Sequence, residues 1–318
     1  MKKPRIIFMG TPDFAVTIVD TLRMHGADIV AIITAPDKQS GRGRKLNQSA
    51  VKKYADQNHI PTLQPTNLKS EDFLKELQGY NADLQIVVAF RMLPEVVWQM
   101  PPMGTINLHA SLLPQYRGAA PINWAIINGE KQTGVTTFFL QHKIDTGDII
   151  MQQSAEIGEE MTAGELHDEL ASLGAKLVVE TYECIASGTV NSAPQNSLVT
   201  TALKEAPKIY KENCRISWGK DGIEIYNLIR GLCPRPGAWT EFLDDNNRSR
   251  TVKIFVSTLF QQDHTAEPGS LRIQDGTLSI YCRDGYLVIN ELQMEGKRRM
   301  NADDFLRGSN LNNKWKAL

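Results

Sequence analysis

The sequence predicts an α/β fold, a doubly wound and mostly parallel sheet followed by a small OB-like β-barrel. In the first part of the chain, short β-branched runs alternate with helical patterns, as they do in βαβ units. Beyond about residue 208, short strands are separated by Asp, Asn and Gly turns. A sheet of such strands exposes unpaired backbone groups at its edges unless it closes into a barrel. The 318 residues are enough for two domains with separate cores.

The first βαβ unit occupies the start of the chain. Residues 5–9 and 29–34 are apolar runs typical of strands, and apolar residues between them recur at helical spacing up to Gly26. A second helix is expected after Ser70. Residues 85–90 then form a nearly continuous apolar run, which is typical of a strand buried on both faces of a parallel sheet.

Three ranges describe the expected domain organisation. Thr162 and Glu165 have the spacing of a capping box, and the helix after them continues to Gly188, so we expect a first domain at 1–188. Residues 189–208 lose apolar periodicity and contain two prolines, which predicts a linker. The strand patterns and one helix near 222–230 place the barrel domain at 209–318.

The composition is that of an ordinary globular protein, with 42% apolar and 22% charged residues. No segment resembles a secretory signal, and no apolar run approaches the length of a membrane span. The four cysteines are dispersed, without C-x-x-C pairs or histidines at ligand spacing. We therefore expect a cytoplasmic protein, a monomer with no membrane partner, no disulfide framework and no metal.

The two parts of the chain differ in charge. Residues 1–188 carry 17 Lys and Arg against 21 Asp and Glu, whereas residues 189–318 carry 18 against 15. This mild cationic bias in the second part permits a polyanionic partner. Ordinary variation in the number of charged residues on two protein surfaces explains this difference equally well, so charge alone does not identify a partner.

Polar side chains stand at the end of an expected strand, residues 105–109 (TINLH). In an extended chain, Asn107 and His109 share one face while Leu108 points to the other. Ligands of open α/β sheets bind beyond the carboxyl ends of the strands, which makes this pair a candidate site. The alternative is that both side chains simply make hydrogen bonds within the protein and bind no ligand.

Asp145 lies 36 residues after His109, in a turn that follows the apolar run GVTTFFLQ. A carboxylate at a neighbouring strand end could hold His109 in one tautomer and favour its charged form. Alternatively, Asp145 simply stabilises the turn.

Taken together, NLHASLLPQYRGAAP and DTGD resemble the formyltetrahydrofolate-dependent formyltransferases. Four further segments extend the resemblance over nearly the whole chain, namely GTPDFA, SGRGRKL, SWGKDGIEIYNLIRGLCPRPGAW and LQMEGKRRMNADDFLRG. The last two lie outside the shared catalytic domain and favour the members that act on methionyl-tRNA. The resemblance implies a Rossmann-like formyltransferase fold for the first domain and an OB-like tRNA-binding domain at the C-terminal end.

The resemblance also implies an activity and its residues. The formyl group of 10-formyltetrahydrofolate, the co-substrate, passes to the free amino group of initiator methionyl-tRNA for translation initiation. Asn107 donates a hydrogen bond to the developing oxyanion. His109 accepts the amine proton or, when charged, donates to the same oxygen, and Asp145 orients the His109 ring. The folate-contacting turn of the family corresponds to the following residues: Ser111, Leu112, Leu113 and Pro114.

A basic loop at residues 34–48 is a candidate contact for tRNA. Composition alone favours a solvated charged loop, but in the resembling family this insertion binds tRNA. We therefore expect Arg42, Arg44 and Lys45 to contact phosphates, with Arg42 the first choice.

Two rival functions stay open. The same catalytic domain occurs in enzymes that formylate an aminosugar or a purine precursor, or that hydrolyse the folate. A dinucleotide-dependent dehydrogenase or a nucleotide-binding module is the rival from another class. GTPDF lacks the G-x-G-x-x-G fingerprint for close approach to a pyrophosphate, which ranks that rival much lower.

Overall fold

The computed structural model describes residues 3–40, 45–199 and 202–318. The helices within these ranges are α1 (Asp13–Met24), α2 (Ala50–Gln57), α3 (Glu71–Gly79), α4 (Glu95–Trp98), α5 (Pro121–Ile127), α6 (Ala163–Ser187), α7 (Gly222–Gly231) and α8 (Ala302–Arg307). Short 3-10 helices lie at Gln195–Leu198 and Glu212–Cys214.

The strands of the described residues fall into two large sheets and two short pairs. In chain order they are β1 (Arg5–Gly10), β2 (Asp28–Ile33), β3 (Lys38–Ser40), β4 (Lys45–Asn47), β5 (Thr62–Leu63), β6 (Leu84–Val88), β7 (Thr105–His109), β8 (Arg117–Gly118), β9 (Gln132–Phe139), β10 (Ile149–Glu156), β11 (Glu205–Ala206), β12 (Ala238–Leu243), β13 (Ser249–Gln261), β14 (Leu271–Gln274), β15 (Thr277–Cys282), β16 (Gly285–Met294), β17 (Met300–Asn301) and β18 (Lys316–Ala317).

The described residues divide into two compact units. The first is drawn from 1–118, 133–156 and 167–205, and the second from 119–132, 157–166 and 206–318. Two stretches inside the predicted range 1–188 thus group with the second unit. The domain boundaries at 1–188, 189–208 and 209–318 remain a proposal.

The first unit is built on a seven-stranded sheet in the order β10-β9-β7-β6-β1-β2-β5. β1 runs parallel to β2 and β6, β6 to β7, and β2 to β5, while β9 is antiparallel to β7. The chain fills one side of β1 first and then crosses to the other, which confirms the predicted doubly wound, mostly parallel sheet.

β7 positions the candidate site because its two faces differ. Leu108 is 4% exposed and packs toward Gly174 of α6. Alternation along the strand then directs Asn107 and His109 to the opposite face, as the sequence predicts. Gly174 permits this packing, since a Cβ there would lie 2.7 Å from Leu108 Cδ2.

We expect Gly174→Ala to lower the free energy of unfolding by about 1–3 kcal/mol, because the added methyl group overpacks a filled interface. Urea unfolding checks this expectation. The matched control is Gly79→Ala near the end of α3, where an added Cβ meets nothing within 4 Å. Equal midpoints for the two variants would contradict the packing argument.

The long helix α6 starts with the predicted capping box, which the structure confirms. Thr162 N–H donates to Glu165 Oε2 at 2.8 Å, and Glu165 N–H donates back to Thr162 Oγ1 at 3.3 Å. The N–H and the hydroxyl of Thr162 both donate to the Glu165 carboxylate at 2.8 Å, and these two hydrogen bonds hold the pKa of that carboxyl below its usual value. The helix ends at Ser187, and Gly188 follows with φ +71° in the left-handed region.

The second unit contains an antiparallel sheet in the order β14-β15-β16-β13-β12-β18, with β17 on β16. Its two edge strands meet through an antiparallel bridge between Ser270 and Lys316, and Ala317 N–H donates to Gly269 O at 2.8 Å. The sheet therefore closes on itself, which confirms the barrel prediction. Phe242, Val252 and Leu287 lie in its buried core.

Within the described ranges, no helix is both long enough and apolar enough to cross a membrane.

Candidate active site

His109 lies at the carboxyl end of β7 and is 6% exposed. Its Nε2 stands 2.8 Å from the carbonyl oxygen of Tyr116. A carbonyl oxygen only accepts hydrogen bonds, so Nε2 carries a proton in this contact. Nδ1 is therefore the ring nitrogen that can accept a further proton.

Asp145 approaches that other nitrogen. The distance from His109 Nδ1 to Asp145 Oδ2 is 3.8 Å, an ion-pair distance when the ring is charged and longer than a hydrogen bond. The same Oδ2 accepts a hydrogen bond from Gly118 N–H at 3.0 Å. The structure thus brings His109 and Asp145 together, while the ring is held by the Tyr116 carbonyl.

The turn that carries Asp145 has an unusual backbone. Asp145 adopts φ +52°, a left-handed conformation that is uncommon for a residue with a side chain. Gly147 allows close approach, because a Cβ there would lie 1.6 Å from Phe139 O. Phe139 N–H also donates to Asp148 O at 3.0 Å, so the turn is fastened to the end of β9.

Asn107 is half-buried on the same strand as His109. Its neighbours in register are Val87 of β6 and Phe138 of β9. Across the part of the chain that the structure describes, its side-chain amide makes no hydrogen bond. This amide is therefore available to a ligand at the carboxyl edge of the sheet.

The turn after β7 is held from β9 by Thr136, which is fully buried. Thr136 Oγ1 donates to Ser111 O at 2.6 Å and accepts from Leu113 N–H at 3.1 Å. Gln152 Nε2 adds hydrogen bonds to Leu113 O at 2.8 Å and to Thr136 Oγ1 at 2.9 Å. The backbone of the turn is thus already hydrogen-bonded within the protein.

The side chains of this turn divide by burial. Ser111 and Pro114 are buried, and Leu113 packs in a small core with Phe138 and Ile149, whereas Leu112 is half-buried. The folate role of Ser111, Leu112, Leu113 and Pro114 stays a prediction.

A cleft of about 270 Å³ adjoins the Asp145 turn. It is lined by Pro114, Arg117, Gly118, Ile144, Leu203, Lys204 and Glu205. Gly118 is the residue whose N–H binds the Asp145 carboxylate, so the cleft lies next to the Asp145 turn, although neither His109 nor Asp145 lines it. Its lining combines apolar side chains with charged ones, as a site for an amphipathic ligand would.

Of the predicted tRNA-binding residues, Arg42 and Arg44 lie outside the described residues. Lys45 begins β4, and its backbone pairs with Ser40 of β3. The described parts of the predicted basic loop therefore include a short antiparallel strand pair.

Sequence reasoning missed three residues that support the site: Thr136 and Gln195, which are buried, and Gln152, which is exposed. Gln195 lies in the predicted linker, yet it is 2% exposed and bonds the Asp145 turn. A glutamine in a polar, proline-containing segment gives no periodic signal, so no sequence pattern points to it.

The described residues contain no cluster of three or more His, Cys, Asp or Glu side chains placed to hold a metal ion. Burial raises the pKa of the Cys214, Cys233 and Cys282 thiols, which keeps them in the less reactive protonated form.

Comparison with known proteins identifies relatives along the whole chain. Residues 4–182 match the formyl transferase family, and residues 208–310 match the formyl transferase C-terminal domain. The methionyl-tRNA formyltransferase of Bacteroides fragilis is 50% identical over 99% of both chains. That of Flavobacterium johnsoniae is 52% identical over 97% of both chains.

Solved structures share the fold at lower identity. HypX from Aquifex aeolicus, crystallised with tetrahydrofolic acid, superposes with a TM-score of 0.64 at 19% identity. The match covers 96% of this chain and 47% of HypX, so the chain spans about half the length of that protein. The two matched ranges and the full-length relatives lead to one conclusion: this chain belongs to the formyl transferase family.

Proposed function

We propose that this chain transfers the formyl group of 10-formyltetrahydrofolate to the free amino group of methionine carried by initiator tRNA, the step that prepares this tRNA for translation initiation. The observation that carries the proposal is the identity of 50–52% to methionyl-tRNA formyltransferases over 97–99% of both chains. These relatives do not favour an aminosugar or a purine precursor as acceptor.

The candidate site supplies the groups that this reaction needs. As the amine attacks the formyl carbon, the formyl oxygen gains negative charge, and the Asn107 amide donates to it. His109 Nδ1 takes the proton that the amine loses, since Nε2 already donates to Tyr116 O. Asp145 then faces the charged ring from 3.8 Å and stabilises it. The tetrahedral species then collapses, the bond between the formyl carbon and the folate nitrogen breaks, and that nitrogen leaves with the proton that His109 returns.

The substrates are placed by the surfaces around this site. The turn at Ser111, Leu112, Leu113 and Pro114 contacts the folate co-substrate, and the cleft beside Gly118 receives the aminoacyl end of the tRNA. Its lining suits that end, because Ile144 and Leu203 are apolar whereas Arg117 and Lys204 are cationic. Arg42, Arg44 and Lys45 contact tRNA phosphates, and the protein acts as a cytoplasmic monomer.

The identity of the formyl acceptor is tested by offering the protein three different amines. Purified protein and 10-formyltetrahydrofolate are mixed with methionyl-tRNA, with an aminosugar nucleotide, or with a purine-precursor amine, and each product is analysed after hydrolysis. We expect N-formylmethionine from the first mixture and little product from the others. Formylation of another acceptor, with none of methionyl-tRNA, would overturn the proposal.

We expect Arg42→Ala to weaken tRNA binding and to reduce the slope of log K against log salt by about 1, because one phosphate contact is lost. Filter binding across a series of KCl concentrations measures both quantities. Lys69→Ala is the control, since Lys69 is an exposed lysine of the same unit. If the slope stays unchanged, the loop is merely a solvated surface.

A further inference from the structure

Gln195 is a buried amide that the proposed mechanism leaves unused. It begins the short helix Gln195–Leu198, between the two family-matched ranges, and is 2% exposed. Just before it, Ala193 exchanges backbone hydrogen bonds with Ile149 at the start of β10, each 2.9 Å long. The Gln195 side chain therefore projects from an anchored backbone.

The Gln195 side chain makes four hydrogen bonds. Its Nε2 donates to Asp145 O at 3.0 Å and to Gly147 O at 2.8 Å. Its Oε1 accepts from Arg117 Nε at 3.0 Å and from Arg117 Nη2 at 2.6 Å. Every donor of this amide is in use, as is its carbonyl oxygen, which is how a buried amide avoids a desolvation penalty.

The orientation of this amide is set by its partners. Carbonyl oxygens only accept and a guanidinium only donates, so a flipped amide would oppose like groups at all four contacts. One side of the amide can therefore serve only the Asp145 turn, and the other only Arg117.

The groups held by Gln195 are those that place the Asp145 carboxylate. On one side, the two turn carbonyls fix a segment in which Asp145 has φ +52°, a conformation that persists only where its surroundings impose it. On the other side, Arg117 directly precedes Gly118, whose N–H binds Asp145 Oδ2 at 3.0 Å. Gln195 thus secures both ends of the Asp145–Gly118 contact.

Building on the proposed function, we propose that Gln195 is a positioning residue of the formyl-transfer site. Its amide locks the Asp145 turn to Arg117 and thereby sets the distance between the Asp145 carboxylate and His109. The segment predicted as a linker then contributes directly to catalytic geometry. Because catalysis by positioned groups is sensitive to displacements of about 1 Å, loss of this lock reduces the rate more than substrate binding.

Gln195→Glu is the sharpest substitution. A carboxylate keeps the acceptor for Arg117 but replaces the two N–H donors of the turn with an oxygen. The matched control is Asn196→Asp, which adds the same charge one residue away on an exposed side chain. We expect Gln195→Glu to lower kcat about 10- to 100-fold with KM for methionyl-tRNA within about threefold, and to alter the pH profile of kcat.

Asn196→Asp should retain wild-type kcat, KM and pH profile. A Gln195→Glu enzyme with wild-type kcat and an unaltered pH profile overturns the proposal. So does a variant in which KM rises while kcat is preserved, because that pattern indicates a binding role.

A readout without substrate separates this proposal from the proposed function. The NMR chemical shifts of the His109 ring at a fixed pH report its surroundings, and among the described residues Asp145 is the sole carboxylate within 4.0 Å of a ring nitrogen. Gln195→Met removes all four hydrogen bonds without adding charge. We expect these chemical shifts to change in Gln195→Met and Gln195→Glu and to keep their wild-type values in Asn196→Asp.

Unchanged His109 chemical shifts in both Gln195 variants overturn the positioning role. If these shifts change but the wild-type protein forms no N-formylmethionyl-tRNA, the positioning of Asp145 stands and the proposed function fails. Should Gln195→Met not fold, Gln195→Glu decides alone, because it keeps a partner for Arg117.

Discussion

Asp145→Asn should lower kcat by about 10²- to 10⁴-fold with little change in KM for methionyl-tRNA, the range expected when base catalysis is lost. An amide at this position can still accept the Gly118 N–H through its oxygen. That oxygen then takes the place of Oδ2, 3.8 Å from His109 Nδ1, where it is a much weaker acceptor than a carboxylate oxygen. The charged ring also loses its counter-ion. Steady-state formylation at neutral pH measures the loss.

The control for this substitution is Asp168→Asn. Asp168 pairs with the neighbouring His167 at 2.9 Å, but both side chains are solvent-accessible, with 86% exposure for Asp168. The same chemical change at an exposed His–Asp pair should leave activity unaltered. Full activity of Asp145→Asn would remove Asp145 from the mechanism.

Asn107→Ala is the second substitution for which we expect a large loss of activity. Because the Asn107 amide is the proposed donor to the oxyanion, its loss should reduce the single-turnover rate of formyl transfer by about 10²- to 10³-fold. The affinity for methionyl-tRNA should stay within about twofold, since the interaction strengthens only as charge develops. Rapid quench with saturating enzyme separates the chemical step from binding.

Asn191→Ala, at an exposed position of the same unit, is the control and should react at the wild-type rate. A wild-type single-turnover rate for Asn107→Ala would refute the oxyanion role. A loss confined to tRNA affinity would assign Asn107 to binding instead.

The architecture of the sheet follows closely from local sequence patterns. Strand alternation places Leu108 on the face opposite to Asn107 and His109. This can be predicted because successive residues of a strand point to opposite faces of the sheet. The Thr162–Glu165 capping box is predictable for the same reason, since its partners are three residues apart. The pairing of His109 with Asp145 spans 36 residues. The strand ends made it one of two interpretations of Asp145, and the choice between them required a resemblance to a known family.

The support around the site could not be predicted, since it rests on backbone groups that every sequence possesses. The His109 ring is held by the carbonyl of Tyr116, a residue with φ +59°. Gln195 bonds the carbonyls of Asp145 and Gly147 from a segment without apolar periodicity. A buried polar side chain of this kind leaves no hydrophobic pattern, so the segment resembles a plain linker.

The central claim is that Asn107, His109 and Asp145 act together in one transition state. Single-turnover formylation of methionyl-tRNA by Asn107→Ala, Asp145→Asn and the double variant tests it most directly. Groups that act as a unit are not additive, so the loss in the double variant should be well below the product of the two single losses. Strict multiplication of those losses, or a wild-type rate in either single variant, would contradict the claim.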